Sequence, residues 1–338
     1  MSPHVLMASY LEPELVQRLR AGVPRAEIHY APELLPVPGF RSDHRGTPRE
    51  LDAGQLGTWH SLLGRAEVMF DFDWWQPECW RKNSPNLKWV QGTSAGIGAR
   101  AAALGFTDDA VALTTAAGVH ARALAEFVVA GLLHFVRDVP GLQRGMADRD
   151  WKTGASATLR GRKALIVGAG SIGREVARTL DFFGVDCIGT TRTPRDLGRP
   201  FGACVEFGPA ALGAADIVVL ACPLTHETRG LLGAEQLAAM KPGSLLVNIA
   251  RGEVVDQRAL IAFLEAGHLS GAVLDVAHPE PLPAGNPLWS APNVLLSPHT
   301  AANVWTENER LVELFVDNLN RYIDGQPLRN PYDSARGY

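Results

Sequence analysis

The sequence predicts an α/β fold in which parallel strands are covered by helices on both faces, and three observations support this. From about residue 163 onward, short β-branched runs alternate with helix-like stretches. The runs are almost continuously apolar, as expected of strands that are buried on both faces. Gly and Pro punctuate the turns between them, for example at Lys241-Pro242-Gly243 and Ala291-Pro292-Asn293.

The strands predicted after residue 163 are KALIV, DCIGT, DIVVLACPLT, SLLVNIA, GAVLDVA and NVLLSPH, and a helix, SIGREVARTLDFFG, follows the first of them. Upstream, weaker patterns predict strands at VLMASY, EIHYA, AEVMFDF and LKWVQG. The two regions therefore predict two α/β units, with the clearer strands in the second.

Three further segments have recognisable patterns. The run VHARALAEFVVAGLLHFVRDVPGLQRGM predicts a long helix that ends near Pro140, and the stretch Pro36 to Arg49 predicts a surface loop. A C-terminal helix, stopped by Gly325 and Pro327, is expected to return to the N-terminal region. Its apolar face is formed by Leu311, Phe315, Leu319 and Tyr322.

Composition limits the classes of protein. The 338 residues are 46% hydrophobic and 20% charged, with a net charge of -4, which indicates a globular chain. No long basic run predicts nucleic-acid binding, and no stretch predicts a membrane span or a secretion signal. The four cysteines (Cys79, Cys187, Cys204 and Cys222) have no metal-ligand spacing, so free thiols and a cytoplasmic setting are expected.

A glycine-rich loop predicts a dinucleotide site. Gly168, Gly170 and Gly173 form a complete GxGxxG that follows the strand ALIV and opens a helix. The N–H groups of Ser171 and Ile172, at the start of that helix, are then available to a pyrophosphate.

The end of the next strand bears on the choice of nicotinamide cofactor. NAD sites usually have Asp or Glu there, about 20 residues after the glycines. In this chain Thr191 occupies that position, and Arg192 and Arg195 follow it. Hydroxyl and guanidinium groups suit a 2′-phosphate, so a preference for NADP over NAD of roughly tenfold to a hundredfold is predicted. The alternative is that both arginines are solvated loop charges.

Three polar residues follow successive predicted strands at the edge where open α/β sheets bind ligands. They are Arg251 in NIARGEVVD, Glu280 in LDVAHPEPLP and His299 in LLSPHTA. A histidine oriented by a carboxylate can exchange a proton near neutral pH, and an arginine can bind a carboxylate through two hydrogen bonds. His120 and His278 could border a pocket, whereas six other histidines are expected to be solvated: His4, His29, His44, His60, His226 and His268.

These segments, together with SAGIG, GAGSIG and CPLTHET, occur in the order and spacing of the D-isomer-specific 2-hydroxyacid dehydrogenases. The chain resembles that family over nearly its whole length, within it the glyoxylate and hydroxypyruvate reductases. The resemblance implies two Rossmann-like, doubly wound α/β domains, with a dinucleotide-binding domain (116–302) inserted into a flavodoxin-like substrate-binding domain (1–115 and 303–338). It also implies a homodimer with an arm near residues 118 to 155.

The resemblance implies the site residues as well. His299 would be the acid in reduction and the base in oxidation, with Glu280 as its partner and Arg251 as the substrate clamp. Backbone N–H groups of Ser94, Ala95 and Gly96 would bind the substrate carboxylate. Four more residues are expected in the cofactor site: Asp275 beside the nicotinamide, and Cys222, Pro223 and Ala250.

The expected substrate is glyoxylate, hydroxypyruvate or a similar small 2-oxo acid, although a larger aliphatic or aromatic 2-oxo acid stays open. The chain departs from the family at Ala277, where an aromatic residue is common, and at Ala302, where Gly is frequent. Both could reshape the pocket. Two alternatives are a dinucleotide-sensing corepressor and a formate- or phosphite-type dehydrogenase on the same scaffold.

Overall fold

The computed structural model describes residues 2–106, 110–151, 153–193 and 195–337. Elements are numbered in chain order. The chain forms two compact units, each with one parallel sheet. The discontinuous unit runs up to His120 and resumes at Asn303, whereas the continuous unit spans Ala121–Ala302.

The sheet of the discontinuous unit has the strand order β2-β1-β3-β4-β5, which is the flavodoxin-like order 2-1-3-4-5. All its pairs are parallel, so the carboxyl ends of the strands lie at one edge. The strands are β1 His4–Met7, β2 Glu27–His29, β3 Val68–Phe70, β4 Trp89–Gln91 and β5 Ala112–Thr114.

Helices pack on both faces of this sheet because alternate strand residues point in opposite directions. On β1, Leu6 faces the cluster that contains Trp59, whereas Val5 faces the cluster that contains Leu19 and Phe315. The last helix therefore returns to the N-terminal region, as predicted. The helices of this unit are α1 Pro13–Gly22, α2 Ala53–Arg65, α3 Trp80–Asn83, α4 Gly98–Ala103 and α11 Glu307–Ile323.

The sheet of the continuous unit has the order β12-β11-β10-β9-β6-β7-β8, again with parallel pairs. Read from β6, this is the order 3-2-1-4-5-6 of dinucleotide-binding sheets with one strand added. Successive strands are added to one side of β6 up to β8 and to its other side from β9 onward. A crevice at the carboxyl ends of β6 and β9 is therefore the expected ligand site. The strands are β6 Lys163–Val167, β7 Asp186–Thr190, β8 Ala203–Cys204, β9 Ile217–Leu220, β10 Leu245–Asn248, β11 Gly271–Leu274 and β12 Val294–Leu296.

This sheet is also covered on both faces. Ile166 of β6 packs in the cluster of Val128 and Val176, whereas Leu165 packs in the cluster of Leu237 and Leu260. The predicted fold class, two doubly wound α/β units, is therefore confirmed. The helices are α5 Ala121–Val136, α6 Val139–Asp148, α7 Ser171–Phe182, α8 Pro209–Ala214, α9 Ala234–Ala239 and α10 Gln257–Glu265.

The predicted long helix is α5, which ends four residues before Pro140, but the helix that follows it, α6, was not predicted. α5 ends at Val136, and Asp138 adopts a left-handed conformation with φ 48° that starts α6. The Asp138 side chain accepts a hydrogen bond from the Gly141 N–H. Pro140 lies in the first turn of α6, where its missing N–H leaves no hydrogen bond unmade.

Two edge strands, β5 and β8, of three and two residues, were not predicted. The prediction that His44 is solvated is also wrong. The residues 36–49 around it are closed by a bridge between Val37 and Thr47. His44 has only 11% of its side chain exposed, and its Nδ1 lies 2.8 Å from Ser9 Oγ.

Gly131 tests the packing of α5 against β11. A methyl group at this position would lie within 2.7 Å of Val273 Cγ2, with Cγ1 closer still. Gly131→Ala should lower the free energy of unfolding by about 1–3 kcal/mol, because overpacking outweighs the gain in helix propensity. Urea denaturation would measure this. The control is Gly57→Ala in α2, where the methyl group would meet nothing within 4 Å and should not destabilise. Adding Val273→Ala to the Gly131→Ala variant should restore its free energy of unfolding. If Gly57→Ala lowered the free energy of unfolding as much as Gly131→Ala does, the packing argument would be contradicted.

Candidate active site

Two of the three glycines after β6 are required by close backbone approaches. Gly168 has φ 100°, and a Cβ there would lie 2.7 Å from the Cys222 N atom. A Cβ on Gly173 would overlap the carbonyl oxygen of Gly168 and lie 3.1 Å from Ile166 Cγ2. Glycine at position 168 therefore lets the loop contact the segment after β9, and glycine at position 173 lets the start of α7 pack against the loop and β6.

The third glycine, Gly170, differs because a Cβ there would meet nothing within 4 Å. It is the N-cap residue of α7, and because glycine has no side chain, no capping side chain occupies the first turn of the helix. The first N–H groups of a helix have no partner within the helix, so those after Gly170 suit a diphosphate. The residues present therefore fit the pyrophosphate of a dinucleotide, with Ser171 exposed and Ile172 half-buried at the helix start.

Cys222, Pro223 and Ala250 follow β9 and β10 at the same edge of the sheet. Cys222 and Ala250 are buried, whereas Pro223 is exposed. Burial raises the pKa of the Cys222 thiol to about 11, so this cysteine is a neutral packing group. Both buried cysteines, Cys187 and Cys222, are free thiols, as predicted.

The end of β7 carries hydroxyl groups and an arginine that has an acidic partner. Thr191 Oγ1 donates to the carbonyl oxygen of Thr193 at 2.7 Å. Arg192 Nη2 donates to Glu227 Oε1 at 2.7 Å, and the two side chains are 59% and 42% exposed. Arg195 is exposed. The predicted phosphate-binding arginine therefore stands beside a carboxylate that would compete with a phosphate for it.

His299 and Glu280 form a pair at the carboxyl edge of the continuous unit. His299 Nδ1 lies 2.8 Å from Glu280 Oε2, and the side chains are 40% and 39% exposed. Glu280 Oε1 also accepts from the Ala277 N–H at 3.1 Å. Burial works against ionisation, but these hydrogen bonds and the charges of His299 and Arg251 hold the pKa of Glu280 below its ordinary value.

Arg251 stands on a tight turn after β10 that Asn248 organises. The Asn248 side chain donates to the carbonyl oxygen of Arg251 and accepts from the Ala250 N–H, both at 3.0 Å. Arg251 Nη1 donates to the Ala250 carbonyl oxygen at 2.7 Å. A Cβ on Gly252 would overlap the Ala277 carbonyl, so glycine lets this turn press against the segment that leads to Glu280.

Asp275 anchors the turn that carries His299. Its Oδ1 accepts from Ser297 Oγ at 2.8 Å and from the N–H groups of Thr300 and Ala301 at 2.9 Å. Its backbone carbonyl accepts from the His299 N–H at 2.8 Å. Asp275 is 2% exposed, and burial raises its pKa despite these hydrogen bonds. The predicted contact of Asp275 with the nicotinamide stays a prediction.

In the discontinuous unit, the turn Ser94-Ala95-Gly96 follows β4. The Ser94 carbonyl accepts from the Ala116 N–H at 2.9 Å, and Ser94 Oγ accepts from the Gly96 N–H at 3.2 Å. Ser94 and Gly96 are exposed. The turn has the N–H groups that were predicted to bind a carboxylate, although that of Gly96 already has a local acceptor.

Sequence reasoning missed four residues that shape these loops. Asn248, Gly252 and Ser297 position the residues around Arg251 and His299, and Glu227 pairs with Arg192. The first three lie within the motifs NIARGEVVD and LLSPHTA, so their position in the sequence could have indicated a role at the site. Glu227 lies 35 residues from Arg192 along the chain, and nothing in the local sequence indicated the contact.

The glycine loop, the strand order and the His299–Glu280 pair are those of an NAD(P)-binding oxidoreductase. The sequence profile of the D-isomer specific 2-hydroxyacid dehydrogenase NAD binding domain matches residues 129–301. A glyoxylate reductase of Pyrococcus furiosus is 36% identical over 259 residues, which cover 72% of this chain and 75% of that protein. The chain belongs to the D-isomer specific 2-hydroxyacid dehydrogenase family and is an enzyme of that class.

Two further relatives show the breadth of the family. An (S)-sulfolactate dehydrogenase of Chromohalobacter salexigens is 35% identical over 224 residues, which cover 63% of this chain and 70% of that protein. A D-isomer specific 2-hydroxyacid dehydrogenase from Xanthobacter autotrophicus Py2, crystallised with NADPH and MES, superposes with a TM-score of 0.79 at 30% identity, and each chain is covered completely. Among the described residues, no helix has the length and apolar character to cross a membrane.

Proposed function

We propose that this enzyme reduces the carbonyl of a small 2-oxo acid to a D-2-hydroxy acid and catalyses the reverse oxidation, with glyoxylate or hydroxypyruvate as the favoured substrate. The observation that carries the proposal is the 2.8 Å contact between His299 Nδ1 and Glu280 Oε2 on a sheet edge that also holds Arg251. In this proposal the dinucleotide-binding domain is residues 116–302, and the substrate-binding domain is residues 1–115 and 303–338.

The pair explains how a proton can be supplied. Because Nδ1 of His299 faces Glu280, the other ring nitrogen, Nε2, is the one that can give a proton to the substrate oxygen. The ionised Glu280 stabilises the protonated imidazole and fixes its orientation. In the oxidation direction, Nε2 takes the proton from the hydroxyl group. A bound nicotinamide cofactor supplies or accepts the hydride.

Arg251 is proposed to bind the substrate carboxylate. Its guanidinium presents several donors in one plane, which match the two oxygens of a carboxylate. Nη1 is held by the Ala250 carbonyl, so the side chain is oriented before substrate arrives. The turn Ser94-Ala95-Gly96 is proposed as the second carboxylate contact, because its exposed backbone offers N–H groups.

We further propose that NADP(H) is preferred to NAD(H). The support is that Thr191 stands where NAD sites usually have an acid, with Arg192 and Arg195 beside it. The related Xanthobacter enzyme was crystallised with NADPH. Because Arg192 is 59% exposed and paired with Glu227, screening and competition should keep the preference near the lower end of the predicted range, about tenfold.

A homodimer is proposed from the surface of the continuous unit. Within and just after α6, Leu142, Met146 and Trp151 are 64%, 81% and 95% exposed. Apolar side chains this exposed on neighbouring turns commonly mark a protein–protein interface. They lie in the region, residues 118 to 155, from which the arm of a dimer is predicted.

His299→Ala tests the reaction directly. Turnover of glyoxylate and hydroxypyruvate should fall about 10²–10⁴-fold, because the proton donor is lost. NADPH affinity, measured by fluorescence titration, should change little. The control is His268→Ala, which removes an imidazole that bonds to Met240 O before β11, at the opposite edge of the same sheet. Activity within about threefold of wild type would refute the assignment of His299.

Glu280→Gln tests the role of the carboxylate through pH. Reduction needs a protonated His299, and Glu280, whose lowered pKa keeps it ionised, favours that form. Without this charge, the alkaline limb of the activity profile should move to lower pH. Measuring kcat/KM for hydroxypyruvate from pH 5 to 10 checks this. The control is Glu253→Gln at the same edge, and an undisplaced Glu280→Gln profile would argue against the pairing.

Cofactor preference is tested from both partners of the Arg192–Glu227 pair. Arg192→Ala should reduce the ratio of kcat/KM for NADPH over NADH by about tenfold, because a charge-assisted hydrogen bond is lost. Glu227→Gln should raise the ratio, since it removes the competing carboxylate. Arg178→Ala, which removes an exposed arginine of α7 paired with Glu175, should leave it unchanged. If wild type uses both cofactors equally well, the preference is disproved.

A further inference from the structure

A second chemical feature lies in the discontinuous unit, on the paired strands β1 and β2. Among the described residues, one group of three histidine, cysteine or acidic side chains is close enough together to hold a metal ion: His4, Glu27 and His29. Neither the dehydrogenase chemistry nor the sequence motifs account for it.

The strand register brings the three side chains together. β1 and β2 pair in parallel, with His4 opposite Glu27 and Leu6 opposite His29. Glu27 and His29 are two residues apart, so they point to the same face of the strand. His4 joins them from the neighbouring strand, and its ring lies nearly parallel to that of His29, with an interplanar angle of 15°.

The separations of the ligand atoms fit one ion. His4 Nδ1 lies 3.1 Å from His29 Nε2 and 3.3 Å from Glu27 Oε2, and His29 Nε2 lies 3.5 Å from Glu27 Oε1. Zinc binds imidazole nitrogen and carboxylate oxygen at about 2.0–2.2 Å, so neighbouring atoms of a tetrahedral site are about 3.3–3.5 Å apart. The two contacts to Glu27 run to different oxygens of its carboxylate, and the ligand atoms, taken one from each residue, lie within 4.8 Å of one another, which is close to the spacing of three corners of such a site.

We propose that His4, Glu27 and His29 bind a divalent transition-metal ion of the zinc type, with solvent at the fourth position. Two imidazoles and one carboxylate form the His₂Glu ligand set that zinc accepts with one open position. The side chains of His4 and Glu27 are 36% and 57% exposed, which gives the ion a path from solvent. Nitrogen ligands disfavour Mg²⁺ and Ca²⁺, which prefer oxygen ligands.

Two arginines near the cluster, Arg65 and Arg20, carry charge of the same sign as a metal ion. Arg20 Nη2 is held 3.3 Å from the Ile28 carbonyl oxygen, so one of these guanidinium groups stays beside β2. Glu27 is the only carboxylate in the ligand set, and it supplies the charge that opposes these cations.

A metal ion here would tie together two strands that are linked by three residue pairs. β2 is an edge strand of three residues, and its burial is only partial. Ligands from both strands would stabilise the folded state by linkage, because the unfolded chain does not hold the three groups at this spacing. The proposal therefore predicts both binding and an increase in thermal stability.

The test uses the full-length chain without a histidine tag, stripped of metal and titrated with ZnCl₂ by calorimetry. One Zn²⁺ should bind per chain, and Tm should rise by at least about 2 °C at saturation. Co²⁺ should give the visible absorption of a tetrahedral site and should be displaced by Zn²⁺ and not by Mg²⁺. This absorption separates metal coordination from a general effect on stability.

Ligand variants decide whether these three residues form the site. His4→Ala, Glu27→Gln and His29→Ala should each weaken Zn²⁺ binding by at least about tenfold and abolish the rise in Tm, while circular dichroism confirms that they fold. His226→Ala, at an exposed histidine in the continuous unit, should bind Zn²⁺ like wild type. Less than one Zn²⁺ per chain, or wild-type affinity in the His29 variant, would mean that the trio is a hydrogen-bonded cluster without a metal.

Discussion

The arrangement of the active-site edge depends on one buried carboxylate, that of Asp275. A carboxylate that is 2% exposed is costly unless hydrogen bonds replace its water, and Oδ1 accepts three of them from the turn 297–301. Those donors lie on both sides of His299. A shift of the turn would therefore expose the Asp275 carboxylate to solvent or leave it buried without hydrogen bonds. The pairing of β10, β11 and β12 places Asn248 opposite Leu274 and Leu274 opposite Leu296. This register fixes the turn after β12 relative to Arg251, which follows β10, and Glu280, which follows β11.

Close approaches of the backbone impose the second constraint. An added Cβ would overlap the Ala277 carbonyl group at Gly252 and the Gly168 carbonyl group at Gly173, so the backbone at both positions packs closely with no side chain between. Such contacts transmit small displacements directly, because there is no flexible side chain to absorb them. Backbone packing therefore helps to set the positions of Arg251 and of the α7 N-terminus, together with side-chain hydrogen bonds such as those of Asn248.

The parts of this molecule that sequence could predict are those with long or local patterns. The buried strands β6, β9 and β10 are nearly continuous apolar runs, and the GxGxxG loop and the three site motifs are local in sequence. The start of α6 at Asp138 was missed because aspartate adopts the left-handed conformation only occasionally, so the residue type gives little sequence signal. The burial of His44 and the Arg192–Glu227 pair depend on contacts between segments distant along the chain. Such contacts appear only once the fold is known.

The two sheets stabilise their short edge strands in a similar way. β2 and β8 have three and two residues and bury little apolar surface, so main-chain pairing alone gives them weak attachment. In each case polar side chains of the edge strand contact the neighbouring strand or the residue that follows it. The cluster of His4, Glu27 and His29 links β2 to β1, and Cys204 Sγ of β8 lies 3.5 Å from Thr191 Oγ1, just after β7. Since Thr191 also begins the loop that is proposed to select the cofactor, attachment of this edge strand helps to position that loop. In the continuous unit, the attachment of the edge strand and the loop proposed to select the cofactor therefore share Thr191.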